Sequence, residues 1–326
     1  MTVSPMPNLI FLPPQTAVTR SYAARLTRDV TEINVHVAED EDEARLGLPQ
    51  ADAAFGTLPP HLLRFAVKLR WLHSRQIAPP PGYFYPELIA HPLTVTNTRE
   101  VYNDHIGAHI LAFVLTMSRD ILYYHSQQQL RLWAPKSLNA DVVALSEATA
   151  LIVGVGGIGA EAGRLLAAFG TRVLGVDARR EDLPPGFEKI EGAISLDSLL
   201  PEADFVILTL PHTPATEFLM DTRRFALMKP NAFFINVGRG MTTRTQALVD
   251  ALQSGHLAGA ALDVLEEEPL PSASPLWTMK NVLITPHMAG FGPHVDERRY
   301  KILRENCSAF CAQEPLRNVV DKRAWF

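Results

Sequence analysis

Cysteine is nearly missing from the 326 residues: Cys307 and Cys311 are the only two, four apart in a stretch that reads as helix. They form no disulfide framework, and a reducing, cytosolic setting is expected. An excess of charge of either sign is missing too. The 30 basic residues stand against 35 acidic ones, a formal net charge of −5, which leaves no surplus to hold a polyanion. Nucleic acid and membrane are therefore not expected as partners. Long uncharged runs are scarce. The longest, Met1 to Thr19, lacks the basic start of a signal peptide and carries Pro5, Pro7, Pro13 and Pro14, so neither export nor a membrane span is expected. Proline alone is plentiful, 25 residues, above the usual share of about 5%. Its densest group is Pro79, Pro80 and Pro81, with Pro86 close behind.

No repeat at a fixed period and no low-complexity tract is present, which sets aside solenoids and coiled coils. From about residue 150 to 290, short apolar runs alternate with helical stretches: Ala150 to Val155, Arg172 to Asp177, Asp204 to Leu210, Ala232 to Val237, Gly259 to Val264 and Val282 to Thr285. Strands apolar on both faces that alternate with helices predict a parallel sheet covered on two sides, a doubly wound α/β fold. Ala160 to Phe169 and Thr245 to Ser254 read as helices, with Gly170 and Gly255 as C-caps. The first hundred residues are more irregular. Extended runs at Asn8 to Leu12, Glu32 to Val37, Ala53 to Gly56, Leu69 to Ser74 and Leu93 to Asn97, separated by turns with proline, predict a second, smaller α/β unit. A helix from near Asp104, with Ile106, Ile110, Phe113 and Met117 at helical spacing, leads into the larger unit. Arg298 to Cys311 reads as a further helix, and Pro315 to Val320 as an apolar run that rejoins the first unit. The boundaries fall near residues 100 and 291, giving 1–100 with 291–326 as one domain and 101–290 as the other.

The segment Gly154-Val155-Gly156-Gly157-Ile158-Gly159 is a G-x-G-x-x-G loop. A strand precedes it, a helix follows it, and the next strand ends in Asp177, 21 residues after Gly156. In that context the loop predicts dinucleotide binding. Gly154 permits the tight turn, Gly156 lets the backbone approach a pyrophosphate, and Gly159 lets helix and strand pack. The helix N-terminus offers free N–H groups and a positive dipole end to phosphates. Asp177 would accept bonds from an adenosine ribose and repel a 2′-phosphate, which favours NAD. Arg179 and Arg180 follow at once; they either grip that phosphate, making NADP the alternative, or are solvated loop charges.

In an open parallel sheet the ligand lies beyond the carboxyl ends of the strands. Those ends read Leu210-Pro211, Gly238-Arg239, Glu266 to Glu268 and Pro286-His287. Arg239 has the fork that matches a carboxylate. His287 is the natural proton donor and acceptor near neutral pH, and Glu268 is the carboxylate that would fix its tautomer and favour its protonated form. With a nicotinamide, such a set would bind a 2-oxo acid, reduce its carbonyl carbon and protonate its oxygen. Taken singly, each residue reads equally well as a surface charge, an acidic turn or a strand cap.

The loop Gly154 to Gly159, the run Asn236-Val237-Gly238-Arg239-Gly240, Leu262-Asp263-Val264 through Glu268-Pro269-Leu270-Pro271, Ser274-Pro275-Leu276-Trp277, Ile284-Thr285-Pro286-His287-Met288-Ala289-Gly290 and Pro315 to Asp321 together resemble the D-isomer-specific 2-hydroxyacid dehydrogenase family. The nearest likeness is to its glyoxylate/hydroxypyruvate reductase-like members. The resemblance implies a Rossmann NAD(P)-binding domain, a smaller flavodoxin-like substrate domain made of both chain ends, a cleft between them and a homodimer. It gives Arg239, Glu268 and His287 the family's catalytic roles and puts Gly157, Ile158, Asp177, Leu210, Pro211, Thr216, Val237, Gly238, Asp263 and Gly290 against the cofactor. Relatives that oxidise formate carry Gln at the Glu268 position, which counts against that activity.

The substrate half departs from the family pattern. Where relatives have a small-residue loop whose N–H groups take the substrate carboxylate, this chain reads Arg75-Gln76-Ile77 and then Ala78 to Pro86. Gln76 and Ile77 still offer N–H groups, and Arg75 either adds a charge for an acidic substrate or faces outward. His109 stands where the family usually has Glu, four residues after His105. That spacing suits a metal, but no further ligand is near and no metal is expected. Trp133 either reaches the partner's cleft or only packs. The expected activity is a reversible NAD-dependent reduction of small 2-oxo acids to D-2-hydroxy acids. The rivals are an NAD(H)-responsive binding protein, because the family includes transcriptional corepressors, and a dehydrogenase of the same fold with an unusual substrate.

Overall fold

A computed structural model describes residues 6–77, 82–137 and 142–325. The chain packs as two compact units, Met1–Val101 with Pro293–Phe326, and Tyr102–Gly292.

In the smaller unit five strands, β1 (Asn8–Phe11), β2 (Asn34–Val37), β3 (Ala53–Phe55), β4 (Trp71–His73) and β5 (Thr94–Thr96), form a wholly parallel sheet in the order 2-1-3-4-5. This is the flavodoxin-like order. Alternation sends Leu9, Phe11, Ala53, Phe55 and Trp71 to one face, and Ile10, Ala54, Leu72 and Val95 to the other, where each set joins its own buried cluster. The first face is covered by α1 (Ala17–Asp29), whose start is fixed by a Thr16/Thr19 capping box, and by the chain's last long helix, Val295–Ala312, through Tyr300 and Leu303. The apolar run ending at Val320 returns to this sheet: Val320 N–H donates to Val95 O at 2.9 Å, and Val319 bridges antiparallel to Thr96. Cys307 is buried, Cys311 is half-buried, and both thiols are free.

The larger unit holds seven parallel strands: β6 (Thr149–Val153), β7 (Arg172–Val176), β8 (Lys189–Glu191), β9 (Phe205–Leu208), β10 (Phe233–Asn236), β11 (Gly259–Leu262) and β12 (Val282–Ile284). Their order, 12-11-10-9-6-7-8, is doubly wound, with the direction of winding reversing between β6 and β9. Leu151, Val153, Leu174 and Val206 pack on one side, and Ala150, Ile152, Val173 and Ile207 on the other. These strands end one or two residues sooner than their apolar runs, so Val155, Asp177, Leu210, Val237, Asp263 and Thr285 lie in turns beyond the sheet. Strand β8 is an addition to the expected set. Its Lys-Ile-Glu is half-exposed at an edge and presents no apolar run. Helix α2 (Asn103–Ser118) packs into this core through Ile110, Phe113, Val114 and Met117. Among the described residues no single helix is long and apolar enough to cross a membrane.

Candidate active site

The glycine loop is built from the sheet outward. Where β6 ends, Gly154 turns the chain at φ +96°, a conformation open to glycine and strained for other residues. Its N–H reaches Val176 O at 2.8 Å. Helix α3 (Gly157–Ala168) starts inside the loop, three residues sooner than the apolar pattern suggests, so Gly157, Ile158 and Gly159 form its first turn. A Cβ at Gly159 would stand 2.2 Å from Gly154 O, so this crossing requires glycine. Gly156 caps the helix without a side-chain acceptor, and nothing lies within 4 Å of where its Cβ would be. First-turn amides with no side-chain cap, beside open space at the cap glycine, fit a pyrophosphate.

Asp177 braces this loop. Its Oδ2 accepts the Val155 N–H at 2.8 Å, and its Oδ1 accepts the N–H groups of Arg179 and Arg180 at 2.8 and 2.9 Å. A second acceptor position on Oδ2 remains for a ribose hydroxyl. Arg180 is committed elsewhere, donating to Val155 O at 2.8 Å and to Asp182 at 2.8 Å, while Arg179 is exposed. After β9, Leu210 and Pro211 enter a turn held by Thr216, whose hydroxyl donates to Pro211 O at 2.7 Å and accepts the Thr213 N–H at 2.8 Å.

The turn after β10 carries Val237, Gly238 and Arg239. Asn236, 1% exposed, holds it from below: its Oδ1 accepts the Gly238 N–H at 3.0 Å and its Nδ2 donates to Thr243 Oγ1 at 3.1 Å. Half-buried Arg239 donates from Nη1 to Gly238 O at 2.6 Å. Burial lowers its pKa and the charge of Glu268 opposes that shift; an arginine stays charged throughout the working range.

Glu268 and His287 meet. Glu268 Oε2 lies 2.7 Å from His287 Nδ1, while its Oε1 accepts the Leu265 N–H at 3.0 Å. With Glu268 ionised the ring carries its proton on Nδ1, which leaves Nε2 for a ligand. The pair is half-exposed, at 36% and 50% of the side-chain surface. His287 stands at φ +51°, its N–H donating to Asp263 O at 2.8 Å. The Asp263 carboxylate, 2% exposed, organises the whole turn. Its Oδ1 accepts Thr285 Oγ1 at 2.5 Å and the Met288 N–H at 2.9 Å, and its Oδ2 accepts the Ala289 N–H at 3.0 Å. Gly290 follows, facing the Tyr102 ring.

His109 Nε2 lies 3.1 Å from Thr285 Oγ1 and 3.8 Å from Asp263 Oδ1, and its burial lowers its pKa against the pull of Asp263. His105 packs against Gly292 instead. Among the described residues no group of three or more His, Cys, Asp or Glu could hold a metal. Asn236 and Thr285 are supports to which the sequence pattern gave no role of their own, and His109, set apart there by its spacing from His105, bonds to Thr285 instead of joining that histidine. The signal for Asn236 was available, a polar residue closing the apolar run Phe233-Phe234-Ile235.

Arg75, Gln76 and Ile77 belong to the smaller unit, just past β4. Thr98 Oγ1 donates to Arg75 O at 3.1 Å, Asn97 Nδ2 donates to Ile77 O at 3.0 Å, and the Gln76 N–H donates to Ser74 Oγ at 3.3 Å. Pro79, Pro80 and Pro81 lie outside the described residues. Trp133 is 98% exposed, beside the exposed Leu130 and Leu132.

Known proteins share this framework. The sequence model for the D-isomer specific 2-hydroxyacid dehydrogenase, NAD binding domain, matches residues 111–289. A glyoxylate reductase of Korarchaeum cryptofilum is 35% identical over 236 residues, 70% of this chain and 69% of that protein. A glyoxylate/hydroxypyruvate reductase B of Klebsiella pneumoniae is 37% identical over 233 residues, 70% and 68%. The crystal structure of a D-isomer specific 2-hydroxyacid dehydrogenase from Xanthobacter autotrophicus Py2, in complex with NADPH and MES, superposes with a TM-score of 0.83 at 28% identity, covering 98% of this chain and all of that one.

Proposed function

The chain belongs to the D-isomer-specific 2-hydroxyacid dehydrogenase family, and from that premise we propose that it reduces small 2-oxo acids such as glyoxylate and hydroxypyruvate, reversibly, with His287 as proton donor and NAD(H) as the preferred cofactor. The coarser statement, an NAD(P)-dependent D-2-hydroxyacid dehydrogenase, follows from the family itself. In this reading Tyr102–Gly292 is the nucleotide domain and the smaller unit the substrate domain.

A bound reduced nicotinamide supplies the hydride that goes to C2 of the oxo acid. Gly154 to Gly159 would hold its pyrophosphate, and Asp177 its adenosine ribose. The Asp177 carboxylate repels a 2′-phosphate, and Arg180 is already tied to Val155 O and Asp182; this supports NAD over NADP. Arg239 pairs with the substrate carboxylate and orients the carbonyl. His287 donates the Nε2 proton to the carbonyl oxygen as negative charge develops there. Glu268 holds the ring by Nδ1 and stabilises the imidazolium that gives the proton. In the reverse direction the same Nε2 takes the hydroxyl proton. Exposed Leu130, Leu132 and Trp133 support a homodimer that covers them, and two free thiols support a cytosolic setting.

The observation that carries this reading is the 2.7 Å Glu268–His287 pair one strand-end turn away from Arg239. The test is a panel of 2-oxo acids with NADH and with NADPH, followed by loss of reduced cofactor. The expected result is turnover with glyoxylate or hydroxypyruvate, faster with NADH. Tight NADH binding with no turnover across the panel would favour the binding-protein reading.

A further inference from the structure

His109 lies on α2, within Tyr102–Gly292, one helical turn before Phe113, and its ring meets the Phe113 ring edge on at 4.3 Å between centres. Phe113 is 2% exposed and belongs to the apolar core. The His109 side chain is therefore rooted in close-packed material with little freedom to shift. From there it reaches the turns that follow β11 and β12. Its Nε2 lies 3.1 Å from Thr285 Oγ1, and Thr285 Oγ1 lies 2.5 Å from Asp263 Oδ1. The side chains form one line, from a core helix to a buried carboxylate.

Proton placement along that line follows from what each group can do. Asp263 takes backbone N–H groups on both oxygens, Met288 on Oδ1 and Ala289 on Oδ2, the pattern of a carboxylate that only accepts. Thr285 therefore commits its single hydroxyl proton to Asp263 and turns a lone pair to His109, so the histidine carries a hydrogen on Nε2. The bond is the same whether the ring is neutral or charged, because both forms can hold that hydrogen. Burial favours the neutral form, against the pull of Asp263. What His109 supplies is thus a fixed donor and not a charge.

The line ends on the residues that hold His287. The His287 N–H faces Asp263 O at 2.8 Å and Thr285 O at 3.0 Å. The residues joined side chain to side chain are the same ones whose carbonyls take that amide. His287 needs such bracing, since φ +51° is unfavourable for a residue with a Cβ and persists only where the surroundings hold it from several sides. We infer that His109 is a positioning residue for the proton transfer: by donating from Nε2 to Thr285 it locks the Thr285–Asp263 pair, and with it the backbone that presents the His287 ring. The inference rests on the reductase reading above and deepens it. In this role His109 gives up no proton; the transfer still runs between His287 and the substrate oxygen.

The test is steady-state reduction of a 2-oxo acid that the unaltered protein turns over, with NADH affinity and urea unfolding measured beside it for each variant of the full chain. His109→Phe keeps a ring against Phe113 and removes the donor. It should lower kcat by about tenfold, the scale of one hydrogen bond, with KM and NADH affinity near those of the unaltered protein. His109→Gln sets an amide N–H near the place of Nε2 and should restore most of that loss. Thr285→Val should lower kcat at least as far as His109→Phe, and the double variant should be no slower than Thr285→Val alone, because the line is already broken. Should His109→Phe fail to fold, His109→Asn, whose amide is one carbon shorter than that of Gln, takes its place in the comparison. An unchanged kcat without the donor, a loss that His109→Gln does not restore, or single losses that multiply in the double variant overturns the inference and leaves the reductase reading standing. No turnover of any 2-oxo acid by the unaltered protein overturns that reading and this one with it.

Discussion

At the carboxyl edge of the larger sheet Asp177, Asn236 and Asp263 each hold backbone N–H groups of their own turn or of the neighbouring one, three by each aspartate and one by the asparagine side chain. The third of Asp263's bonds runs through its own backbone oxygen. At the same edge of the smaller sheet, threonine and asparagine side chains pin the carbonyls of the Arg75–Ile77 turn, and what projects from that turn into a cavity is a long side chain. Under the proposed function the contrast separates two tasks. Proton transfer requires atoms fixed to a fraction of an ångström, and short buried acceptors bonded to backbone provide that. Choice of substrate requires a shape and a charge, which a few long side chains supply and a few substitutions change.

Replacing residues along both edges tests that contrast. The largest effect is expected from His287→Ala, a fall in kcat of about 10²- to 10⁴-fold with NADH binding near normal by fluorescence titration; full turnover would end the proton-transfer assignment. Arg239→Ala should lower kcat/KM by roughly 10- to 100-fold, as expected for a lost charge-assisted pair, chiefly through substrate capture, and an unchanged value would remove it from carboxylate binding. Asp263→Ala leaves the N–H groups of Met288 and Ala289 without their acceptor. A loss of about 2 kcal/mol in thermal or urea unfolding, with a lower kcat, is expected, and retention of both would mean the turn is held by other bonds.

His73 offers a test inside the smaller unit. It is wholly buried beside Thr96, and burial lowers its pKa from its ordinary value near 6.5 to about 3. The unfolded chain therefore binds this proton below about pH 6.5 and the native one does not until about pH 3. Stability should fall as pH drops through that window, by at most about 1.4 kcal/mol per pH unit from this group. Urea titrations of the native protein and of His73→Phe should diverge there; parallel curves would assign the acid slope to other groups. The smallest effect is expected from Arg75→Ala on folding, within about 0.5 kcal/mol. A large loss of stability would mean that the cavity edge is as structural as the braced edge.

Both sheets were legible because their strands are apolar on alternate faces and each face has a cover, as Leu151 and Ile152 show by joining different clusters. The strand ends were not, since Val155, Val237 and Val264 continue the apolar run after the ladder has stopped. Strand β8 was hidden by Lys189 and Glu191, and α1 by its polar exposed face. Arg239, Glu268 and His287 stand out in the sequence because charged groups at strand ends are easily noticed. Asn236 and Thr285 do not, and the role of His109 is not readable from its spacing, because a polar support is defined by what approaches it. The same limit holds for Arg180, which reads either as a phosphate ligand or as a solvated loop charge and is bonded to Val155 O of the glycine loop and to Asp182.

The left-handed backbone of His287 has an evolutionary reading. A residue with a Cβ held at φ +51° costs about 1–2 kcal/mol, an expense that the proposed proton transfer from His287 would justify. In a lineage released from that requirement, glycine or asparagine at this position would relieve the strain at once. The residue at this one site would then separate working descendants of this chain from those that keep only its shape.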